Sequence, residues 1–245
     1  MTLALEARIK SKRFPAVGDA PAKQVVRDFA LDVPEKGFVA LFGPSGCGKT
    51  TILNLLAGLD RDFDGDVKRR ADARSAYVFQ EPRLLPWLTV EDNLKLVLDN
   101  ADEMSSLIDQ WLDEMGLSDV RRVFANRLSL GMARRVALAR AFIIRPSILL
   151  MDEPFVSLDE PTALRLQHLL LDTLDAHPAA VVFVTHSFRE AIMLADRIVL
   201  LSPSPSRVQR VIEVPLSADE RRSEQAIEGA RQDLLASVPK AGESG

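Results

Sequence analysis

Cysteine is nearly absent from this chain: Cys47 stands alone among 245 residues. A single cysteine excludes an intrachain disulfide and fits a reducing compartment. Long apolar runs are missing too. No stretch approaches the ~18 consecutive apolar residues that a membrane-spanning helix needs, so any membrane role must come through a partner. No apolar N-terminal segment precedes a cleavage site, and no signal peptide is expected. Excess positive charge is also lacking. The 31 Lys and Arg face 35 Asp and Glu, giving a net charge of -4 and a pI near 5.5. That balance argues against a surface built for nucleic acid. Repeats and low-complexity segments are not found.

What is present is an ordinary globular share of apolar residues, 47%, in a length that suits one large domain or a domain with a subdomain. Residues 43 to 50 read Gly43-Pro44-Ser45-Gly46-Cys47-Gly48-Lys49-Thr50, which fits G-x-x-x-x-G-K-[ST], the loop that wraps the phosphates of ATP or GTP. Glycines let several backbone N–H groups surround one anion. Lys49 adds a point charge for the β and γ phosphates. Thr50 offers a hydroxyl to Mg²⁺. A helix is expected from Thr51 to Ala57, ended by Gly58, so its positive end faces the phosphates.

Apolar runs at Phe38–Phe42, Ala76–Phe79, Ile148–Met151, Ala180–Val184 and Ile198–Leu201 look like buried strands. Helical patterns separate most of them, which predicts an α/β core with a largely parallel sheet. The stretch from about 89 to 145 is helical throughout in pattern. Thr89 can cap a helix with Asp92 three residues on. Leu107, Ile108, Trp111, Leu112 and Met115 recur at helical spacing before Gly116. Met132 to Ile144 forms another helix, stopped by Pro146. Together these predict a helical subdomain at 89–145, inserted between core segments 1–88 and 146–215. Pro161 suits the first turn of a helix running to about Ala176. In the tail, 216–245, Ser217 and Glu220 could cap a last helix with Ile227, Leu234 and Val238 on its apolar face.

The strand Ile148-Leu149-Leu150-Met151 ends in Asp152-Glu153. In an open parallel sheet, ligands gather at the carboxyl ends of strands. Asp152 would stand beside the phosphate loop to hold Mg²⁺, and Glu153 could deprotonate or orient an attacking water. Val181-Val182-Phe183-Val184-Thr185 leads to His186, which would reach the γ-phosphate from the same edge.

With these residues in place, the chain resembles the ATP-binding subunit of an ABC transporter. The phosphate loop is followed in the family's order by Gln80, by the signature Leu128-Ser129-Leu130-Gly131-Met132, by the Asp152-Glu153 strand, by Ser157-Leu158-Asp159 and by His186. The resemblance covers roughly residues 14 to 215. It implies a P-loop NTPase core with a mostly parallel sheet, an antiparallel β portion near the N-terminus and the inserted helical subdomain. It also implies two copies, identical or not, facing head to tail. Each ATP would lie between the phosphate loop of one copy, Gly43 through Thr51, and Ser129 and the Gly131 amide of the other, with Asp159 nearby. Thr50, Gln80 and Asp152 would serve Mg²⁺. Glu153, His186, Lys49 and Gln80 would carry catalysis. Phe14, in Ser11-Lys12-Arg13-Phe14, is the candidate for stacking on adenine. Separate transmembrane permease subunits are the implied partners, with a solute-binding protein engaged indirectly. The implied place is the cytoplasmic face of the cell membrane.

Leu130 departs from the family, which usually has Gly there. The segment Phe79-Gln80-Glu81-Pro82-Arg83-Leu84-Leu85-Pro86-Trp87 is similar to the ATPases of importers for nitrate, sulfonates and taurine. Met132, where many relatives have Gln, points the same way. Pro86-Trp87 offers a stiff apolar knob suited to a partner's groove near Gln80–Trp87. Two other classes stay in view. One is a degenerate nucleotide-binding subunit with weak hydrolysis, which Leu130 alone favours. The other is a soluble ABC ATPase acting on nucleic acid or ribosomes, which usually carries a second cassette or a long coiled coil; neither is found here.

Overall fold

The computed structural model describes residues 2–16, 18, 21–100 and 104–237. A three-stranded antiparallel sheet comes first. It joins β1 (Leu3–Phe14), β2 (Lys23–Pro34) and, later in the chain, β4 (Asp64–Arg69), in the order β2-β1-β4. The resemblance implied an antiparallel portion near the N-terminus but gave it no bounds. Their apolar residues alternate with charged ones, as in Leu5, Ala7 and Ile9 or Phe29, Leu31 and Val33, because only one face of the sheet is buried.

The second sheet has six strands in the order β5-β6-β7-β3-β8-β9. These are β3 (Phe38–Phe42), β5 (Ser75–Val78), β6 (Ile148–Asp152), β7 (Ala180–Thr185), β8 (Arg197–Leu201) and β9 (Val208–Glu213). All pairings are parallel except β8–β9. The five expected apolar runs are β3, β5, β6, β7 and β8, each within a residue or so of its predicted bounds. Burial on both faces explains their continuous apolar character. Val182 and Val184 of β7 pack toward the antiparallel sheet and α1 (Lys49–Ala57), while Val181 and Phe183 pack toward the helices on the other side. β9 escaped the sequence reading because it is a largely exposed edge strand. The fold is the α/β arrangement that the sequence predicted, antiparallel portion included.

Between β5 and β6 lie α2 (Val90–Lys95), α3 (Ser105–Glu114) and α4 (Leu130–Phe142). Thr89 caps α2 as expected, accepting from the Asp92 amide at 3.1 Å. Trp111 of α3 stacks on Phe142 of α4, with ring centroids 5.7 Å apart. Helix α4 starts two residues earlier than predicted because Ser129 caps it. After β6 come α5 (Glu160–Ala176) and α6 (Phe188–Leu194).

The tail differs from expectation. Ser217 and Glu220 do exchange hydrogen bonds, but they frame only a 3-10 turn at Glu220–Arg222. Helix α7 (Glu224–Ser237) begins beyond it. Ile227 is buried as predicted, Leu234 is half-buried, and Val238 lies outside the described residues. Arg221, only 7% exposed, points inward. Its guanidinium donates to the Ile192, Met193 and Ala195 carbonyls at the end of α6 and to Asp196. Those carbonyls have no helical partner, and a cation suits the negative end of a helix. Asp196 in turn accepts from the Phe38 amide at the start of β3. Arg221→Ala should therefore destabilise the chain by about 2–3 kcal/mol, the cost of stripping charged hydrogen bonds from a buried site. Thermal denaturation should show a fall of about 4–10 °C.

Candidate functional site

The carboxyl ends of β3, β6 and β7 bring the predicted motifs to one edge. Gly43–Gly48 leaves β3 and runs into α1. Gly48 holds φ at 112°, and a Cβ there would fall 2.6 Å from Val25 Cγ1, so only glycine fits. The loop is braced by a residue that the sequence did not suggest. Buried Ser206, from the Ser-Pro turn after β8, donates through Oγ to the Cys47 carbonyl and through its amide to Val25. Lys49 is buried, and its Nζ donates to the Gly43 and Pro44 carbonyls at 2.9 and 3.0 Å. Both partners are neutral, so the ammonium can be drawn to an anion without leaving a carboxylate behind.

Thr50 Oγ1 donates to Asp152 Oδ1 at 3.1 Å. Burial pushes the Asp152 carboxyl above the usual carboxylate range, and the neighbouring Glu153 charge adds to that; Thr50, Lys49 and Arg83 oppose it. Two hard oxygens this close are the kind of donor pair that holds Mg²⁺ when phosphates and water supply the other ligands. Glu153 adopts a left-handed backbone, φ 43°, uncommon for a residue with a side chain. Its amide donates to Val184 at 3.1 Å, and its Oε2 lies 3.2 Å from His186 Nδ1. Nearby, half-buried Glu190 accepts from Thr185 Oγ1, and desolvation raises its pKa.

A cleft of about 550 Å³ opens beside this edge, with Thr50, Asp152, Gln80, Arg83, Leu130 and Ser157 on its walls. The Arg83 guanidinium sits 3.9 Å from the Phe79 ring centroid. The Leu130 side chain is 39% exposed on the cleft wall. Ser129 and Gly131 are not among the cleft residues. Ser129 caps α4 by accepting from the Met132 amide at 3.3 Å. Asp159 caps α5, accepting from the Thr162 amide at 3.1 Å. Phe14 is 42% exposed at the end of β1, with the Lys12 ammonium 4.9 Å from its ring centroid; it is not a core residue. Pro44 and Ser45 lie within the phosphate loop, and Thr51 follows Thr50 in α1.

The fold and the phosphate loop define the class: an ATP-binding cassette ATPase. The family described as ABC transporter matches residues 26–156. The aliphatic sulfonates import ATP-binding protein SsuB 2 of Burkholderia cenocepacia (strain HI2424) is 40% identical over 237 residues, covering 94% of this chain and 86% of that protein. SsuB 1 of Xanthomonas axonopodis pv. citri (strain 306) is 40% identical over 248 residues, covering 96% of each. Among solved structures, the dimeric post-hydrolysis state of the ATP-binding cassette MJ0796, bound to ADP and Pi, superposes with a TM-score of 0.75. It is 27% identical and covers 87% of this chain and 100% of that one. This chain belongs to the ABC transporter family, and it is an ATPase of that family. Among the described residues, no helix is long and apolar enough to cross a membrane.

The raised Asp152 pKa fixes the sign of a pH effect. A folded-state pKa above the unfolded value contributes stability at low pH that is lost as pH rises through the folded pKa. Ionising Asp152 therefore costs the folded chain stability, because burial leaves the carboxylate poorly solvated. Asp152→Asn should raise the melting temperature of the nucleotide-free chain at pH 7.5, with the difference shrinking below the carboxylate range. Calorimetry from pH 7.5 to 4 checks this.

Proposed function

We propose that this chain is the motor subunit of an importer for a small sulfonate-like solute, working through separate transmembrane subunits at the cytoplasmic face of the cell membrane. The observation that carries the reading is the pairing of Glu153 with His186 at the same sheet edge as Thr50 and Asp152. Resemblance to the sulfonate import proteins over nearly their full length supports the solute class. The α/β core spans 1–88 and 146–215, residues 89–145 form the helical subdomain and 216–245 the tail.

In this reading the Gly43–Thr51 loop amides and Lys49 bind the phosphates. Lys49 exchanges the Gly43 and Pro44 carbonyls for phosphate oxygens. Thr50 and Asp152, with Gln80 at the cleft wall, would hold Mg²⁺, which supplies positive charge against the β and γ phosphates. Glu153 takes the proton of the attacking water, and His186, within reach of Glu153, orients toward the γ-phosphate. Phe14, exposed at its strand end, stacks on adenine. A second copy supplies Ser129 and Gly131 at the N-terminus of its α4, where helix amides favour an anion, with Asp159 at the same interface. Hydrolysis then opens the dimer, and the permease follows that motion. The solute-binding protein engages only through the permease.

The docking surface gains support from an unanticipated residue. Asn93, fully buried, accepts from the Leu85 amide and donates to the Leu85, Leu88 and Thr89 carbonyls. It fixes a loop whose Leu84 packs inward while Trp87 stands 67% exposed. A large indole held rigidly in solvent suits a partner's groove.

Glu153→Gln should bind ATP with near-normal affinity while losing turnover by orders of magnitude. Its solution mass should double with ATP and revert without it; a monomer in both states would count against the composite site. Trp87→Ala should leave ATP affinity within twofold while weakening co-purification with the permease by tenfold or more. Unchanged co-purification would remove the docking role.

A further inference from the structure

Helix α4 carries a buried cation with no carboxylate partner in hydrogen-bonding contact. Arg134, one turn after the Ser129 cap, is 4% exposed. Its Nη1 donates to the Glu153 carbonyl at 3.4 Å and the Pro154 carbonyl at 2.5 Å, and its Nη2 donates to the Val156 carbonyl at 2.7 Å. Its Nε has no partner. A guanidinium placed so deep is costly unless its hydrogen bonds achieve something that an apolar side chain could not.

What they achieve is visible in the backbone they hold. The turn after β6 contains two left-handed residues with side chains, Glu153 at φ 43° and Ser157 at φ 64°. Such residues persist only when their surroundings over-determine them. The turn's own hydrogen bonds are long: 3.3 Å from the Val156 amide to Glu153 and 3.4 Å from the Leu158 amide to Phe155. Arg134 supplies two shorter contacts, to the Pro154 and Val156 carbonyls on either side of the turn, and a longer one to Glu153 itself. The planar fork serves three carbonyls from two separate nitrogens, where a lysine has only one.

The other end of the connection is the signature turn. A Cβ at Gly131 would lie 2.9 Å from Thr162 Cγ2, so the start of α4 is pressed against the start of α5. Thr162 is tied to Asp159, which closes the same 153–159 segment. The start of α4, the 153–159 turn and the start of α5 therefore move as one block. Resting on the roles proposed above, that block links the two nucleotides of a dimer. Ser129 and Gly131 face the partner's ATP, whereas Glu153 of the same chain acts on its own.

We infer that Arg134 is a positioning residue that ties the signature turn to the backbone of Glu153, so that nucleotide captured by Ser129 and Gly131 aligns Glu153 in the same chain. Arg134 lies at the edge of the Thr50–Asp152 cleft but is only 4% exposed there, and its guanidinium hydrogen bonds all go to the turn, through which it acts.

The test compares the full-length wild type with Arg134→Gln, Arg134→Lys and Glu153→Gln. Steady-state ATP hydrolysis gives kcat and the Hill coefficient, and equilibrium titration with a fluorescent ATP analogue gives affinity. Arg134→Gln should lower kcat tenfold or more, leave affinity within twofold and bring the Hill coefficient near 1. Arg134→Lys should recover part of kcat. Turnover and cooperativity of Arg134→Gln within twofold of wild type would overturn the inference, as would parallel loss of turnover and binding in both Arg134 variants. A wild-type Hill coefficient of 1 would also overturn it. Retained turnover in Glu153→Gln would instead overturn the proposed role of Glu153, so the two failures are told apart.

Discussion

A sheet buried on both faces leaves its strands no place for charge except at their ends, and the rest of this molecule follows from that constraint. β3, β6 and β7 are apolar along their length because one face meets α1 and the antiparallel sheet while the other meets the helices. Their first polar residues come where the strands leave the core: the phosphate loop after Phe42, Asp152 and Glu153 at the end of β6, and Thr185 and His186 at the end of β7. Parallel register puts these ends side by side. The site is thus a by-product of packing, sharpened by residues that shape the turns.

A second theme is the way several buried or half-buried cations are satisfied by carbonyls rather than, as for Lys12, by carboxylates. Lys49, Arg134 and Arg140 all donate to backbone carbonyls, and Arg221 does so with Asp196 in addition. Burial lowers the pKa of all three arginines, yet each remains a cation. Carbonyl partners suit two different needs. Around Lys49 they make a weak hold that an anion can break. Around the arginines they make a clasp that shapes backbone: Arg140 on the Pro82 and Arg83 carbonyls, Arg134 on the Glu153 turn, Arg221 on the end of α6. Helix α4 holds two of these clasps, which makes it the mechanical link between the Gln80 segment, the Glu153 turn and the signature.

The fold was legible where burial was two-sided. β3, β6 and β7 announce themselves as continuous apolar runs. β1 and β2 could be expected only as an antiparallel portion without bounds, because the charged residues alternating with their apolar ones, such as Arg8, Lys10 and Asp32, leave no continuous apolar run, and β9 was missed because most of it faces solvent. The local caps at Thr89 and the Pro161 helix were readable because they involve neighbours in sequence. The Ser217–Glu220 pair misled because a reciprocal hydrogen bond can close a single turn as easily as it can start a helix.

The sequence alone determined the phosphate loop, the order of the motifs and thereby the family, since each motif is contiguous and its chemistry is written in adjacent residues. Tertiary structure alone decided which distant residues support them. Ser206 bracing Cys47, Asn93 presenting Trp87, Arg221 fastening the tail and Arg134 shaping the Glu153 turn join positions tens to hundreds of residues apart or depend on direction within a turn. A side chain's hydrogen bond to a carbonyl leaves no mark on the partner's identity, because every residue has one. Only the packed chain shows which carbonyl it is.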